Sequence, residues 1–200
     1  MGYSPFLVDK SLQTKIYKQL GLNFVFKKFA SPQSVPKSQV SPTLVKPVGS
    51  IEWENIPVPI RQKLLQQYRP AYSLWLYYDY YNDLEDPELN PRKKLILKIL
   101  KALNWGKKIS FWPLFRAKGS DYLPDMKFFY HALQEIRPVY IFCFGARCFK
   151  ILLPDETFSY QHYNYKDRML VALPDFNELL PDNRELKKVV WQILQKYAPA

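Results

Sequence analysis

Several features that would assign a protein class at once are scarce or missing in this chain of 200 residues. Only two cysteines occur, Cys143 and Cys148, which is too few for a disulfide scaffold or an iron–sulfur cluster. Glycine is scarce, with 6 residues, which excludes collagen-like and glycine-rich linker sequences. No apolar run reaches the ~18 residues of a membrane-spanning helix. The first residues also lack the basic head and apolar middle of a signal peptide, so we expect a cytoplasmic protein with no membrane partner.

The composition that is present predicts a folded protein with a large core. Hydrophobic residues make up 48% of the chain and aromatic residues 16%, well above the range of disordered proteins. A domain of ~150 residues buries about 70% of its unfolded surface, so its stability requires neither disulfides nor metal. The two histidines, His131 and His162, have no partner at metal-ligand spacing. We expect both at the surface, and we expect no metal and no cofactor.

Positive charge is concentrated in two blocks of the chain, whose net charge is +11. Residues 10–51 contain seven lysines and residues 92–120 contain nine basic residues, and neither block contains an acidic residue. Such blocks are typical of surfaces that meet phosphate or an acidic partner, and equally of a solvated helix face. We expect weak, phosphate-mediated DNA binding through five basic side chains: Lys107, Lys108, Arg116, Lys118 and Arg147.

The composition also divides the chain into three segments. Residues 1–30 combine a short helical pattern with alternating apolar residues, which favours a docking arm. Residues 31–51 contain four prolines and five serines, a composition that predicts a flexible linker. Residues 52–200 alternate strand and helix patterns, as an α/β domain does.

Four runs rich in aromatic or β-branched residues predict the strands of that domain, at 72–78, 109–114, 139–144 and 168–173. Helical patterns separate them and begin near Pro91, Asp125 and Asp182. Strands joined through helices pair in parallel by right-handed crossovers, with helices on both faces of the sheet. The sequence therefore predicts a three-layer α/β/α sandwich with a central, mostly parallel four-stranded sheet and a flexible N-terminal arm.

In an open α/β sheet the functional site lies at the carboxyl ends of the strands. Here those junctions read YYDYYN at 77–82, FWP at 111–113, FGAR at 144–147 and LPDF at 173–176. Their order and spacing over residues 70–198 resemble the uracil-DNA glycosylase superfamily, most closely in segments 133–145 and 173–180. The resemblance implies the sandwich fold and a base-binding pocket lined by Tyr78, Tyr81, Trp112, Phe144, Leu173 and Asp175.

Members of that superfamily flip a base into the pocket and use three side chains for its release. The resemblance assigns Asp79 to the catalytic carboxylate that positions water, whereas the base-reading Asn falls at Trp112 or Pro113. Leu173 replaces the His that stabilises the leaving base, and it can neither donate a hydrogen bond nor carry charge. With one role of three matched, we expect a non-catalytic DNA replication or repair accessory protein.

Other interpretations stay open at this point. One is an active DNA glycosylase that excises uracil or another damaged base with Asp79, and another is a nucleotide- or small-ligand-binding module. An Asp at a strand end is also commonly a turn former or a helix cap.

The arm carries a second pattern, in the stretch 19–24. Gln19, Leu22 and Phe24 resemble the bacterial sliding-clamp-binding pattern, in which two apolar anchors enter a groove and the Gln sets the register. The same stretch resembles the N-terminal arm of the psi subunits of bacterial DNA polymerase III holoenzyme. We therefore expect these three residues to bind a sliding clamp or a polymerase III accessory subunit, unless the arm folds back on its own domain.

Overall fold

The computed structural model describes residues 53–86, 88–118, 121–180 and 182–199. Its strands are β1 (Ser73–Tyr77), β2 (Ile109–Phe111), β3 (Phe115–Lys118), β4 (Asp121–Pro124), β5 (Tyr140–Phe144), β6 (His162–Tyr165) and β7 (Arg168–Leu173). Its helices are α1 (Val58–Gln67), α2 (Tyr80–Glu85), α3 (Pro91–Leu103), α4 (Met126–Ile136), α5 (Ala146–Leu152), α6 (Phe176–Leu179) and α7 (Arg184–Lys196), with 3-10 turns at Trp53–Asn55 and Gly106–Lys108. The predicted arm, 1–30, and linker, 31–51, lie outside the described residues.

The main sheet has the strand order β2-β1-β5-β7-β6. Strand β1 pairs in parallel with β2 and β5, and β5 pairs in parallel with β7, so these four strands end at the same edge. This confirms the predicted α/β sandwich and its mostly parallel sheet. The predicted number of four strands is wrong, because β6 adds a fifth strand that is antiparallel to β7. The two form a tight hairpin whose turn residue Lys166 has a φ of 55°.

Both faces of the sheet are buried, and one of them is built around Trp75 of β1. The Trp75 ring lies 5.1–6.4 Å from four other rings, those of Trp105, Phe111, Phe142 and Phe144. Helix α6 covers this face through Phe176, which stacks on Phe144 at 4.1 Å, and the C-terminal cap of α7 covers it through Tyr197, 6.1 Å from Phe142. Aromatic pairs at such distances add to the stabilisation from buried area alone.

The opposite face carries Leu74 and Leu76 of β1, both fully buried. Helix α4 covers this side through Phe129, which contacts Tyr165 of β6, and helix α5 covers it through Phe149, 4.7 Å from Tyr163. The sheet therefore lies between two helical layers. On β1, β5 and β7, the strands inside the sheet, the side chains on both faces are mostly apolar, which requires cover on both sides. On the edge strand β6 only Tyr163 and Tyr165 are buried.

The longer helices begin and end at residues whose local chemistry favours a boundary. Asn90, Asp125 and Asn183 accept hydrogen bonds from backbone N–H groups three residues later, at 2.9–3.1 Å. Helices α3 and α4 end at Asn104 and Arg137, both in the left-handed conformation. No helix in the described ranges is long and apolar enough to cross a bilayer.

Gly145, the residue after β5, provides a test of how closely the strand ends approach one another. Its φ is +90°, and a Cβ added there would lie 2.5 Å from Oδ2 of Asp175. We expect Gly145→Ala to lower the free energy of unfolding by about 3 kcal/mol in urea denaturation, through backbone strain and this collision. The matched variant is Gly106→Ala, at a φ of +54° with no atom within 4 Å of the added Cβ. It should lose only about 1 kcal/mol, and equal losses would show that the close approach does not matter.

Candidate functional site

Asp79 lies in the turn after β1, at the edge where the parallel strands end. It occupies the N-cap position of α2, but its side chain makes no capping hydrogen bond. Its Oδ2 instead accepts hydrogen bonds from Nη1 of Arg92 at 2.8 Å and from Nδ2 of Asn177 at 3.2 Å. Because Arg92 belongs to α3 and Asn177 to α6, this one carboxylate joins three elements that are distant in the sequence.

A second carboxylate, Asp83, lies one turn further along α2, and its side chain is only 5% exposed. Nε and Nη2 of Arg92 donate to its two oxygens at 2.8 and 2.7 Å. Nδ2 of Asn90 and the hydroxyl of Tyr77 donate to the same two oxygens at 2.9 and 3.0 Å. Bidentate, charge-assisted pairs of this kind are among the strongest hydrogen-bonded contacts in proteins. We call Asp79, Asp83 and Arg92, with Asn90, Asn177 and Tyr77, the Arg92 network.

Two titratable groups of the network, Asp83 and Tyr77, have shifted pKa values. Burial opposes the ionisation of Asp83, but the hydrogen bonds and charge of Arg92, with the bonds from Asn90 and Tyr77, outweigh it and hold the pKa of Asp83 below its ordinary value. Burial, with the charge of Asp83, raises the pKa of Tyr77. Neither group is placed to exchange a proton near neutral pH, which is what a general acid or base requires.

Asp175, which follows β7, is bound at the start of α6. Its Oδ1 accepts a hydrogen bond from the backbone N–H of Asn177 at 2.8 Å, and the Glu178 side chain accepts one from the backbone N–H of Asp175 at 3.2 Å. This reciprocal pair is a capping box. Burial raises the pKa of Asp175, and the nearby charges of Asp79 and Glu178 raise it further. The carboxylate therefore has a structural role at this edge, that of starting helix α6.

Aromatic side chains fill the space next to Asp79. The Tyr78 ring lies 4.7 Å from that of Phe115 and 5.2 Å from that of Tyr122, both on the β3–β4 hairpin. The Tyr122 hydroxyl donates to the Tyr78 carbonyl at 2.9 Å, and the Arg147 guanidinium lies 4.8 Å from the centre of the Tyr78 ring. Tyr81 is buried beneath Tyr122. The hairpin, which the sequence did not predict, thus packs against the residues that would flank a pocket.

The remaining residues predicted to line a pocket belong to the core. Trp112, Phe144 and Leu173 each have 0% of their surface exposed. Trp112 packs 4.8 Å from Phe128, and its indole N–H has no hydrogen-bond partner among the described residues. Of the six predicted pocket residues, only Tyr78 and Asp175 are partly exposed.

The predicted phosphate-binding side chains have different environments. Lys107, Lys108 and Arg147 are exposed. Arg116 instead forms an ion pair with Asp125 at 2.9 Å and lies 4.7 Å from the centre of the Phe128 ring. Lys118 is the last residue of β3. Arg116 is therefore engaged within its own domain, whereas Lys107, Lys108 and Arg147 are exposed to solvent.

The histidines and cysteines divide between surface and core. His162 is exposed, as expected, but the expectation for His131 is wrong, because its ring is buried in α4. The side of α4 that the sequence pattern marked as polar is covered by the N-terminal part of the domain, where Trp53 lies 6.0 Å from Phe128. Cys143 and Cys148 are both free and fully buried. The described residues include no group of three His, Cys, Asp or Glu side chains that could hold a metal.

Arg92 is the residue whose role sequence reasoning missed, since it lies in a basic block whose side chains were expected to meet phosphate. Lys93 is also engaged, because its Nζ donates to the carbonyls of Asp86 and Glu88 and pairs with the Asp86 carboxylate. The spacing of Asp79 and Asp83 by four residues places both on one side of α2, but no sequence signal selects Arg92 as their partner. Gln19, Leu22 and Phe24 of the arm lie outside the described residues.

No protein-family model matches the chain, and no curated protein matches it significantly. The geometry of the strand ends is therefore the basis for a functional conclusion. It consists of an ion-paired carboxylate, a packed aromatic cluster and the exposed cation of Arg147 beside Tyr78.

The Arg92 network is tested by removing its cation. We expect Arg92→Met to lower the free energy of unfolding by about 3 kcal/mol, because it leaves Asp83 buried without a counter-ion. Lys94→Met, at an exposed position of the same helix, should change it by no more than about 0.5 kcal/mol. Denaturant unfolding of both variants measures the difference, and a similar small effect for both would contradict the network's role.

The same network predicts a pH dependence of stability. Since the pKa of Asp83 is lower in the folded than in the unfolded chain, its stabilisation is present above about pH 4 and is lost as the pH falls through the folded value. Unfolding free energies measured from pH 7 to pH 2 should therefore fall more steeply for the native protein than for Asp83→Asn. Parallel curves would contradict this.

Proposed function

We propose that this protein is a non-catalytic DNA replication or repair accessory protein on a uracil-DNA glycosylase-like fold. The α/β sandwich and the placement of the strand-end segments at one edge of the sheet are compatible with the resemblance. The proposal that the protein is not catalytic rests on the hydrogen bonds of Asp79, the one residue that matches a catalytic role.

A water-positioning carboxylate must offer its oxygens to water and to the reacting sugar. Oδ2 of Asp79 already accepts hydrogen bonds from Arg92 and Asn177, and the Arg92 guanidinium stabilises its charge. Moving Asp79 toward a substrate would break contacts with two other elements. A structural role for this carboxylate explains its contacts better than a catalytic one.

The other two roles lack suitable side chains. Leu173, where the resemblance expects the leaving-group His, is apolar and fully buried. Trp112, where it expects the base-reading Asn, is fully buried as well, so its indole N–H does not reach a surface pocket. Loss of one donor to developing negative charge costs about 10²–10³ in rate in enzymes where it has been removed. With two such groups missing, we expect little base release.

DNA binding by this protein would depend on its exposed cations. Among the predicted phosphate-binding side chains, Lys107 and Lys108 in the turn before β2 and Arg147 at the start of α5 are exposed, the two lysines where the parallel strands begin and the arginine where they end. Residues 121–200 carry ten acidic and ten basic residues, so attraction to a polyanion comes from a few side chains. Weak binding with a strong dependence on salt suits an accessory protein that a partner brings to DNA.

The partner in this proposal binds the N-terminal arm through Gln19, Leu22 and Phe24. It is a sliding clamp or a polymerase III accessory subunit of a bacterial cytoplasm, as the resemblance of the arm implies. The arm and the domain then have separate tasks, recruitment and DNA contact.

The enzymatic alternative is tested with single- and double-stranded oligonucleotides that contain one uracil, followed by alkaline cleavage. We expect no strand cleavage above the level of the oligonucleotide alone, because two of three catalytic roles lack a suitable side chain. An active uracil-DNA glycosylase is the positive control. Cleavage that the native protein produces and Asp79→Asn does not would overturn the non-catalytic proposal.

The DNA surface is tested by titrating a fluorescent single-stranded oligonucleotide at several salt concentrations. When Lys107, Lys108 and Arg147 are all changed to Ala, the log–log slope should become less negative by roughly 0.7 for each phosphate that the protein no longer neutralises. Lys166→Ala is the control, since this exposed lysine lies in the β6–β7 turn, on the far side of the sheet from β2 and at the end of the strands opposite to Arg147. Binding that is independent of salt, or equal in both variants, would remove this surface from the proposal.

A further inference from the structure

An apolar groove of about 250 Å³ lies between helices α3 and α7. Its floor is formed by Leu179, Val190 and Leu194, all almost fully buried. Its walls are less covered: Leu95, Ile99 and Trp191 are half-buried, and Ala102 is exposed. The groove is therefore a surface feature with a hydrophobic base, open to a partner.

The groove arises from the spacing of apolar residues on the two helices. Leu95, Ile99 and Ala102 of α3, and Val190, Trp191 and Leu194 of α7, recur at the three- and four-residue intervals of a helix face, on which Lys98 and Lys187 also lie. Ile96 of α3 is buried, as a residue packed on the domain is, whereas the groove-lining side chains of α3 stay partly in water. The rest of the domain therefore covers only part of the apolar stripe of α3.

The volume of the groove suits a few side chains of a peptide better than it suits a small molecule. Small-molecule sites usually enclose ~300–1,000 Å³ and include several convergent polar groups. This groove is smaller, and its only charged lining residues are Lys98 and Lys187. Two helices side by side provide the kind of groove that receives the apolar face of a peptide.

The positive charge around the groove favours an acidic occupant. Helix α3 carries five basic residues and no acidic one, and Lys94, Lys98 and Lys101 are all exposed. Helix α7 adds Lys187 and Lys188 against Glu185, and Lys187 also pairs with Asp182, just before the helix, at 3.3 Å. These lysines form a basic rim around the groove. The rim attracts an acidic segment, whereas it would repel a second copy of the same face, whose lysines would lie against its own.

Two other occupants are disfavoured by the same observations. Residues 10–51 of this chain contain seven lysines and no acidic residue, so the arm is repelled by the rim. Nucleic acid would pair with the lysines but would leave the apolar floor without an apolar partner. Only an occupant that is both acidic and apolar satisfies the rim and the floor together.

We propose that the groove between α3 and α7 binds a segment of another protein in which at least two bulky apolar residues are flanked by acidic residues. The apolar residues enter over Leu179, Val190 and Leu194, and the acidic residues pair with Lys98 and Lys187. Trp191 on the wall belongs to the residue types that most often dominate binding energy. This inference goes beyond the proposed function and does not depend on it.

The test uses the full-length protein and a display library of random 13-residue peptides, the length of α3. Selection on the native protein is followed by removal of every peptide that also binds Ala102→Gln. That substitution puts a longer, uncharged side chain into the groove at an exposed position, and Ala and Gln both favour helix. We expect the surviving peptides to carry net negative charge and at least two residues from Leu, Ile, Phe and Trp.

One surviving peptide is then titrated against charge-reversal variants by fluorescence anisotropy. Lys98→Glu with Lys187→Glu should weaken binding by about tenfold, which is about 1.4 kcal/mol. Lys150→Glu with Lys166→Glu is the matched control, with the same net charge and both changes away from the groove, on α5 and in the β6–β7 turn. It should change the affinity by no more than about twofold, since distant rim charges have small effects.

Three results would overturn the proposal. One is a selection that yields no acidic, apolar peptides that discriminate the native protein from Ala102→Gln. Another is equal weakening by the two charge-reversal pairs, which would indicate attraction to overall charge. The third is displacement of the peptide by an oligothymidylate that binds the native protein more tightly than Ala102→Gln, which would assign the groove to nucleic acid.

Discussion

The ion pair of Arg92 with Asp79 and Asp83 organises the edge of the sheet where the parallel strands end. Charges that are largely withdrawn from water are costly unless each one is paired, so the three side chains hold one another in place. Through them, α3 is tied to the turn after β1 and to α2, and Asn177 extends the contact to α6. An α/β sheet commonly carries its ligand at this edge. In this protein the same edge is closed by its own hydrogen bonds.

Aromatic packing also closes this edge of the sheet. Tyr78, Phe115 and Tyr122 occupy the space beside Asp79, and Phe144 stacks on Phe176 beneath it. Rings in mutual contact are stabilised by burial and by edge-to-face geometry, so opening a base-sized cavity would cost both. Exposed cations and the α3–α7 groove are what the domain offers to a partner. As proposed, both surfaces contact other macromolecules.

The resemblance predicts a pocket at the strand ends, whereas in the structure several of the same side chains are packed in the core. Sequence reasoning identified Asp79 and Asp175 as residues of that edge, and both are there. It placed Trp112, Phe144 and Leu173 around a pocket, whereas each is fully buried. Burial depends on what packs above a residue, and here Trp53 of the N-terminal turn packs on Trp112 and Phe176 of α6 packs on Phe144. No sequence pattern shows which of these contacts form.

The sequence by itself determined the features that arise from local chemistry. Runs of aromatic and β-branched residues specified the four parallel strands, and Asn90 and Asp125 specified where two helices begin, because propensity and capping act within a few residues. Tertiary structure alone decided which partner each charged or apolar group meets. Arg92 pairs with two carboxylates rather than phosphate, His131 is buried, and β6 joins the sheet because pairing, packing and desolvation depend on groups brought together from distant parts of the chain.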